Sequence, residues 1–124
     1  MPNTLQTGII GENAATVFLK AKGYRIAERN WRFGKSELDI IAWANDRLLV
    51  FVEVKTRTGQ GRGYGGPEGA IDARKQARLL HAAGNYMEVI GYDWEIRFDT
   101  IAVILSKQQQ VLEIRHLEDV FYPM

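Results

Sequence analysis

The sequence predicts an α/β fold with the element order α-β-β-β-α-β-β, in a single domain that spans residues 1–124. Apolar residues recur at helical spacing in two segments, residues 8–22 and 68–90. Five other segments are rich in branched and aromatic residues, which is typical of strands. The second helix stands between the third and fourth strands, as a crossover connection does. We therefore expect a mixed central sheet flanked by helices.

The composition excludes several classes of protein. Cysteine is absent, which excludes a disulfide framework, thiolate zinc sites and cysteine catalysis. The start of the chain has no basic segment followed by an apolar one, and no apolar run approaches the roughly 20 residues that a membrane helix needs. We expect a cytoplasmic protein without membrane contact.

The net charge of +1 is unevenly distributed. Residues 1–78 hold 13 Lys and Arg against 8 Asp and Glu, whereas residues 79–124 hold 3 against 7. An anionic ligand that approaches the basic half is one interpretation, and an ordinary solvated surface is the other.

The first helix is predicted over residues 8–22, with Thr7 as its N-cap and Gly23 as its C-terminal cap. Glu12 falls at the edge of the apolar arc of this helix. It either faces the sheet or complements the positive end of the helix dipole, and the residue pattern leaves both interpretations open.

Residues 24–32, 37–43 and 47–57 predict three consecutive strands of an antiparallel meander. The third strand carries Glu53 and Lys55 beside an apolar run. Because these two residues are two apart, they project from the same face of the strand. Burying their charges costs several kcal/mol per ion unless they are paired, hydrogen-bonded or bound to a metal.

The register of the second strand decides whether its own acid, Asp39, joins this pair. A two-residue loop at Asn45-Asp46 would place Asp39 opposite Val52, on the face away from Glu53. A loop with an odd number of residues, or one bulge, would place Asp39 opposite Glu53. We predict the second register.

Residues 58–67 contain five glycines and no aliphatic residue, which predicts a flexible loop. The segment is either a simple connector or, given its Arg62 and Tyr64, a flap that orders on a ligand. It lacks the lysine and the spacing of a phosphate-binding P-loop.

The second helix is predicted over residues 68–90 with an apolar stripe and a basic stripe. The apolar stripe consists of Ala73, Ala77, Leu80, Gly84 and Met87. The basic stripe consists of Arg74, Arg78 and His81, with Lys75 beside it. This basic stripe either contacts phosphates or is a solvated face.

Two further strands are predicted over residues 94–105 and 108–117. The first of them is apolar on both faces in its second half and is therefore central. Its Asp99 is either a candidate for the site or, as we expect, the partner of Arg97 or another arginine in an ordinary salt bridge. The two histidines, His81 and His116, are isolated in the sequence and predict no metal site.

The acids on the second and third strands suit metal-assisted phosphodiester hydrolysis. Mg²⁺ takes oxygen ligands and usually keeps several waters, so one or two carboxylates suffice to hold it. Asp39 and Glu53 would supply them, with the backbone carbonyl of Val54 as a further ligand. Lys55 would direct its ammonium at the attacking water or at the phosphate.

The arrangement of Asp39 followed by Glu53-Val54-Lys55 resembles the PD-(D/E)XK motif of restriction-endonuclease-like nucleases. Leu38 stands where that motif has proline, which removes no ligand. Nearly the whole chain is similar to the YraN-like family of small, uncharacterised bacterial proteins, which is placed near the archaeal Holliday junction resolvases. The similar blocks are Gly11-Glu12, Gly23-Tyr24, Arg29-Asn30, Glu37-Leu38-Asp39, Phe51 to Arg57 and Arg97-Phe98-Asp99.

The resemblance implies a restriction-endonuclease-like core, α-β-β-β-α-β plus a C-terminal strand, and a Mg²⁺- or Mn²⁺-dependent endodeoxyribonuclease. It implies catalytic roles for Glu12, Asp39, Glu53 and Lys55, with the metal held by Asp39, Glu53 and Glu12. Its substrate would be structured or branched DNA in recombination or repair. The alternative is a non-catalytic nucleic-acid-binding module with the same fold.

Seven basic residues are candidates for contacts with backbone phosphates, which give binding of low sequence specificity. They are Arg29, Arg32, Lys35, Arg57, Arg62, Lys75 and Arg78. Resolvases of this fold act as dimers, so the resemblance also implies a homodimer. The only apolar residues that suggest an interface lie in the tail, such as Val120 and Phe121.

Overall fold

The structure is a computed structural model, and it describes residues 4–59 and 72–120. Its elements are α1 (Thr4–Ala21), β1 (Arg25–Phe33), β2 (Ser36–Asn45), β3 (Leu48–Thr58), α2 (Ala73–Ile90), β4 (Glu95–Leu105) and β5 (Val111–Leu117). The predicted order α-β-β-β-α-β-β is confirmed, and the architecture is consistent with a restriction-endonuclease-like core.

The five strands form one sheet in the order β1-β2-β3-β4-β5. β3 and β4 are parallel and the other neighbouring pairs are antiparallel, so the sheet is mixed as predicted. α2 lies between β3 and β4 in the chain, since parallel neighbours need a crossover connection. Within the described ranges, neither helix combines the length and the apolar character that crossing a membrane requires.

Each face of the sheet is covered by one helix. On the α1 face, apolar residues of the three central strands pack against Ala15 and Leu19. On the α2 face, Phe51 and Phe98 pack against Leu79 and Tyr86. Each such side chain contributes about 1.5–3 kcal/mol when it is fully buried, so the two clusters fix the helices firmly on the sheet.

The helix α1 begins at Thr4, so the prediction of Thr7 as its N-cap is wrong. Thr7 lies inside the helix, where its hydroxyl donates a hydrogen bond to Gln109 Oε1 at 3.3 Å instead of capping the backbone. The predicted C-terminal cap is confirmed. Gly23 has a φ of +95°, and its N–H donates to the carbonyl of Lys20.

The helix α2 begins at Ala73 rather than at Glu68, and residues 68–71 of the predicted helix lie outside the described residues. Asp72 has an extended backbone and accepts a hydrogen bond from the backbone N–H of Lys75 at 2.8 Å, which makes it the N-cap.

The buried face of α2 agrees only in part with the predicted apolar stripe, of which Leu80 and Met87 are partly buried against the core. Its buried residues are Leu79, Ala82, Ala83 and Tyr86, whereas Ala73, Ala77 and Gly84 are exposed. The large side chains of Leu79 and Tyr86 decide which face turns inward, because alanine and glycine offer little area to bury. Lys75 lies four residues before Leu79, so it belongs to the inward face and not to the solvent-facing basic stripe.

The register between β2 and β3 agrees with the prediction. Ile40 pairs with Val52, and the register shifts by one residue between Trp43 and Asn45, so Ala44 is bulged. Continuing the pairing by one residue sets Asp39 opposite Glu53. The bulge therefore brings the two acids to the same face of the sheet.

Candidate active site

Asp39 and Glu53 line one pocket between the sheet and α2. It has a volume of about 50 Å³, and Lys75, Leu79 and Phe98 form part of its wall. The pocket lies where the regular pairing of β2 with β3 ends, since Ile40–Val52 is the last pair on this side. The structure therefore brings together the two acids that the sequence predicts to lie side by side.

Beyond the pair Ile40–Val52, the side chain of Asp39 links β2 to β3. Its Oδ2 accepts a hydrogen bond from the backbone N–H of Val54 at 2.8 Å. Burial raises the pKa of Asp39 to about 7, and the negative charges of Glu12, Glu53 and Glu37 act in the same direction, although the bond from Val54 opposes them. Near neutral pH both the protonated and the ionised form of this carboxyl group are therefore populated.

Glu53 is buried, with 8% of its surface exposed. Its Oε1 accepts a hydrogen bond from Lys75 Nζ at 2.5 Å, whereas its buried Oε2 has no hydrogen-bond partner among the described residues. Thr100 pairs with Glu53 across the parallel strands, and its hydroxyl oxygen is buried without a partner there as well. Each such oxygen costs about 1–3 kcal/mol, so the surroundings of Glu53 are suited to receive a cation or a hydrogen-bond donor.

Lys55 follows Glu53 by two residues on β3, and strand geometry directs both side chains to the same face. It is partly buried and pairs in register with Ala102 of β4. The acid, acid and lysine of the predicted motif therefore share one face of the sheet.

Glu12 reaches this region from the other side, because α1 approaches β3 unusually closely. A Cβ atom on Gly11 would lie 1.8 Å from Thr56 Oγ1, so only glycine fits at this contact. The neighbouring Glu12 carboxylate lies 3.7 Å from Arg29 Nη2 and is close enough to raise the pKa of Asp39. Because α1 begins at Thr4, Glu12 is beyond the first helical turn, and the helix-dipole interpretation does not apply.

The donor set fits a divalent cation held by two carboxylates. Asp39 and Glu53 share the pocket, Glu53 Oε2 is buried without a hydrogen-bond partner in residues 4–59 and 72–120, and Asp39 is surrounded by negative charge. Two carboxylates suffice for Mg²⁺, which keeps several waters. Across residues 4–59 and 72–120, no group of three or more His, Asp or Glu is arranged to hold a metal, so Glu12 as a third ligand stays a prediction.

A groove of about 500 Å³ lies on the α1 side of the same end of the sheet, and Glu12, Asn30, Arg32 and Glu37 line it. Asn30 has a φ of +55° within β1, a left-handed conformation that Asn tolerates better than most residues. Glu37 lines both this groove and the pocket. The groove therefore reaches the strand that carries Asp39.

The predicted phosphate-binding residues gather near this end, although several are paired. In the antiparallel register the end of β1, the start of β2 and the end of β3 adjoin. This brings Arg32, Lys35 and Arg57 to the same end of the sheet. All three are exposed, and Arg32 forms an ion pair with Glu37 at 2.9 Å. Arg29 pairs with Glu12.

The remaining basic candidates belong to α2 and to the glycine-rich loop. Arg78 is exposed on α2, whose His81 contacts Phe33 at the end of β1, with ring centroids 5.0 Å apart. The first turns of α2 therefore lie at the same end of the sheet. Arg62, Tyr64 and most of the loop predicted over residues 58–67 lie outside the described residues.

Asp99 also lines the pocket, but its carboxylate is compensated by neighbours of its own, as predicted for a structural salt bridge. Its two carboxylate oxygens accept hydrogen bonds from Arg97 Nε and Nη2, both at 2.8 Å. Asp99 Oδ2 also lies 2.7 Å from His116 Nε2, and Oδ1 accepts from the N–H of Asp119. His116 is thus an internal partner of an acid, and its isolation in the sequence hides this role.

The sequence does not indicate the contact of one predicted site residue and does not identify a second residue beside Glu53. It predicts Lys75 as a phosphate contact, and in the structure this residue lies on the inward stripe of α2 and forms an ion pair with Glu53. Its spacing of four, seven and eleven residues from Leu79, Ala82 and Tyr86 is the signal that identifies that stripe. Thr100 could be found only from the parallel pairing of β3 with β4, which no local pattern specifies.

Comparison with known proteins places these residues within one family. Residues 11–103 match the model of the uncharacterised protein family UPF0102. A UPF0102 protein of Bacteroides thetaiotaomicron is 43% identical over 118 residues, covering 95% of this chain and 93% of the relative. One from Flavobacterium psychrophilum is 43% identical, covering 93% of this chain and 92% of the relative. One from Rhodococcus jostii is 39% identical, covering 98% of this chain and 100% of the relative.

The matched residues include both acids of the pocket, Lys55, the Gly11-Glu12 pair of α1 and the Arg97–Asp99 cluster. Family membership and the fold thus agree with the resemblance on which the sequence interpretation depends. The chain belongs to the uncharacterised protein family UPF0102, the YraN-like family.

Proposed function

We propose that this protein is a metal-dependent endonuclease that hydrolyses phosphodiester bonds in structured or branched DNA, in the manner of junction resolvases. The observation that carries the proposal is the pocket formed by Asp39 and Glu53, with Lys55 on the same face of the sheet. A buried pair of acids is expensive for a fold and is a common feature of sites that bind metal ions.

Asp39 and Glu53 would hold Mg²⁺ or Mn²⁺, with the backbone carbonyl of Val54 and, by the resemblance, Glu12 as further ligands. When bound, such a cation supplies Lewis-acid activation of the phosphate and makes a water molecule more acidic. Lys55 would position that water and offset negative charge on the phosphate as it grows in the transition state. The family resemblance points to recombination or repair as the cellular process.

The arrangement favours recognition of DNA shape over sequence. Both described helices pack against the sheet, so neither projects as a recognition helix into a major groove. The exposed basic residues at the edge near the pocket suit phosphate contacts, which carry no sequence information. DNA binding is expected to weaken steeply as salt concentration rises.

A second candidate function is a nucleic-acid-binding module without turnover. One observation favours it: Lys75 already neutralises Glu53 in the absence of a metal, at 2.5 Å. If that ion pair persisted in the presence of divalent cations, the site could bind DNA through its basic edge and not cleave it.

A cleavage assay separates the two functions. The protein is incubated with four-way junction, flap, single-stranded and duplex DNA, with Mg²⁺ or Mn²⁺. We expect cleavage of branched DNA, and we expect Asp39→Asn and Lys55→Ala each to lower its rate about 10²–10³-fold, because each removes a charge from the transition-state environment.

The matched control is Asp46→Asn, which changes an exposed aspartate in the turn of the same hairpin and should leave cleavage unchanged. Cleavage that persists in both site variants would show a contaminating nuclease. Salt-dependent binding without cleavage under any of these conditions would establish the binding module.

A further inference from the structure

Lys75 and Glu53 form an ion pair whose two partners differ in their freedom to move. Lys75 Nζ lies 2.5 Å from Glu53 Oε1, the side chain of Glu53 is 9% exposed, and that of Lys75 is 43% exposed. The ammonium can therefore turn into solvent, whereas the carboxylate is fixed in the sheet. An exchange at this pair would replace the cation and leave the acid in place.

The position of Lys75 follows from how α2 begins. Asp72 caps the helix by accepting from the N–H of Lys75, which fixes Ala73 as the first helical residue. Lys75 then stands at the N-terminal end of the inward stripe that continues with Leu79 and Tyr86. The flexible stem of lysine spans the remaining distance to the sheet. The helix start thus places one positive charge at the acid pocket.

That single charge compensates the pocket only in part. Lys75 bonds one oxygen of Glu53 and leaves Oε2 buried without a partner in the described structure. Asp39 lines the same pocket, so one ammonium group faces two acids. A divalent cation carries twice the charge of an ammonium and can coordinate oxygens of both acids.

We propose that Lys75 is a displaceable counter-ion of the metal site. Its ammonium neutralises Glu53 while the site holds no metal, a divalent cation displaces it, and the released ammonium then contacts a phosphate of the bound DNA. This inference rests on the proposed nuclease function. It gives Lys75 two successive anionic partners, first a carboxylate and then a phosphate.

The test measures Mn²⁺ binding to the full-length protein without DNA, by titration calorimetry near pH 8. We expect Lys75→Met to bind Mn²⁺ about tenfold more tightly than the wild type, because the metal no longer has to break the charged hydrogen bond between Lys75 and Glu53. Without metal, Lys75→Met should melt at a lower temperature than the wild type, because Glu53 loses its counter-ion. Added Mn²⁺ should then raise its melting temperature more than that of the wild type.

Two controls frame the measurement. Arg74→Met removes an exposed charge from the same helical turn and should bind Mn²⁺ as the wild type does. Glu53→Gln should abolish binding. If Lys75→Met does not melt in a cooperative transition, the same measurements are made on Lys75→Gln, which keeps a polar side chain.

Each outcome decides the proposal. Tighter Mn²⁺ binding in Lys75→Met, together with slower cleavage of branched DNA, would establish the exchange. If the lysine were purely structural, its loss would lower both the affinity for Mn²⁺ and the cleavage rate. Binding that is unchanged or weaker in both lysine variants, but lost in Glu53→Gln, would overturn the exchange and leave the metal site intact. If neither the wild type nor the lysine variants bind Mn²⁺, the exchange and the metal-dependent function both fail.

Discussion

Asp39 and Asp99 are aspartates of the same sheet, but the protein compensates them in opposite ways. Asp99 accepts hydrogen bonds from Arg97 and from a backbone N–H and contacts His116. Although burial acts to raise it, the hydrogen bonds from His116 and Arg97 hold the pKa of Asp99 below its ordinary range. Asp39 accepts a hydrogen bond from the backbone N–H of Val54 but is surrounded by other acids, and burial raises its pKa to about 7.

The difference teaches how to separate a structural acid from a functional one in a protein of this kind. A carboxylate that stabilises the fold has donors on both oxygens and a cation beside it. A carboxylate that lacks such a cation destabilises the free protein and is ready to bind one. By this criterion Asp39 belongs to the second class and Asp99 to the first.

Removal of the compensated acid should give the largest loss of stability. Asp99→Asn leaves the partly buried guanidinium of Arg97 without its main counter-charge, and we expect the free energy of unfolding to fall by about 3–5 kcal/mol. Urea denaturation at pH 7 measures it. The control is Glu113→Gln, which breaks the exposed ion pair with Arg115 and should cost no more than about 1 kcal/mol. A loss for Asp99→Asn as small as that of the control would contradict the contrast.

Substitution of Asp39, the uncompensated acid, should raise the free energy of unfolding, and the size of this effect should depend on pH. The folded protein holds the proton of Asp39 up to about pH 7, whereas the ordinary pKa is 3.8, so this group destabilises the fold progressively as pH rises from 4 to 7. Without divalent cations, Asp39→Asn should therefore be more stable than the wild type at pH 8, by up to about 4 kcal/mol.

The measurement compares urea denaturation of the two proteins at pH 5 and at pH 8. Their difference in stability should be smaller at pH 5, where the wild-type carboxyl group is protonated in the folded state. Addition of Mg²⁺ at pH 8 should stabilise the wild type and not Asp39→Asn. A difference that is the same at both pH values would show that Asp39 is not titrating near neutrality.

The smallest of these effects concerns the approach of α1, which brings Glu12 toward Asp39. Gly11→Ala would force a methyl group against Thr56, and we expect a loss of about 1–3 kcal/mol. Gly8→Ala, in the same helix, meets no atom within 4 Å and should raise stability by about 0.5–1 kcal/mol through its higher helix propensity. Thermal denaturation measures the stability of both variants. Equal effects of the two substitutions would contradict the close contact between Gly11 and Thr56.

The sequence predicted the order of elements and the face that carries Asp39 and Glu53, because alternation along a strand and the length of a hairpin are local properties. It also predicted the pairing of Asp99 with Arg97, two residues away on one strand. The inward orientation of Lys75 was missed, because Ala77 and Gly84 suggested a stripe that buries little area. The contact of His116 with Asp99 joins two strands through tertiary packing, which no periodicity reveals.

The bulge at Ala44 has a consequence for how the length of this hairpin can change. Each residue inserted or deleted between Ile41 and Leu49 exchanges the two faces of β2 upstream of the change. A change by one residue would turn Asp39 away from Glu53 and move Ile41 from the α2 face to the α1 face, while a change by two would restore both. The hairpin should therefore accept many different residues at its tip, but only lengths of the same parity.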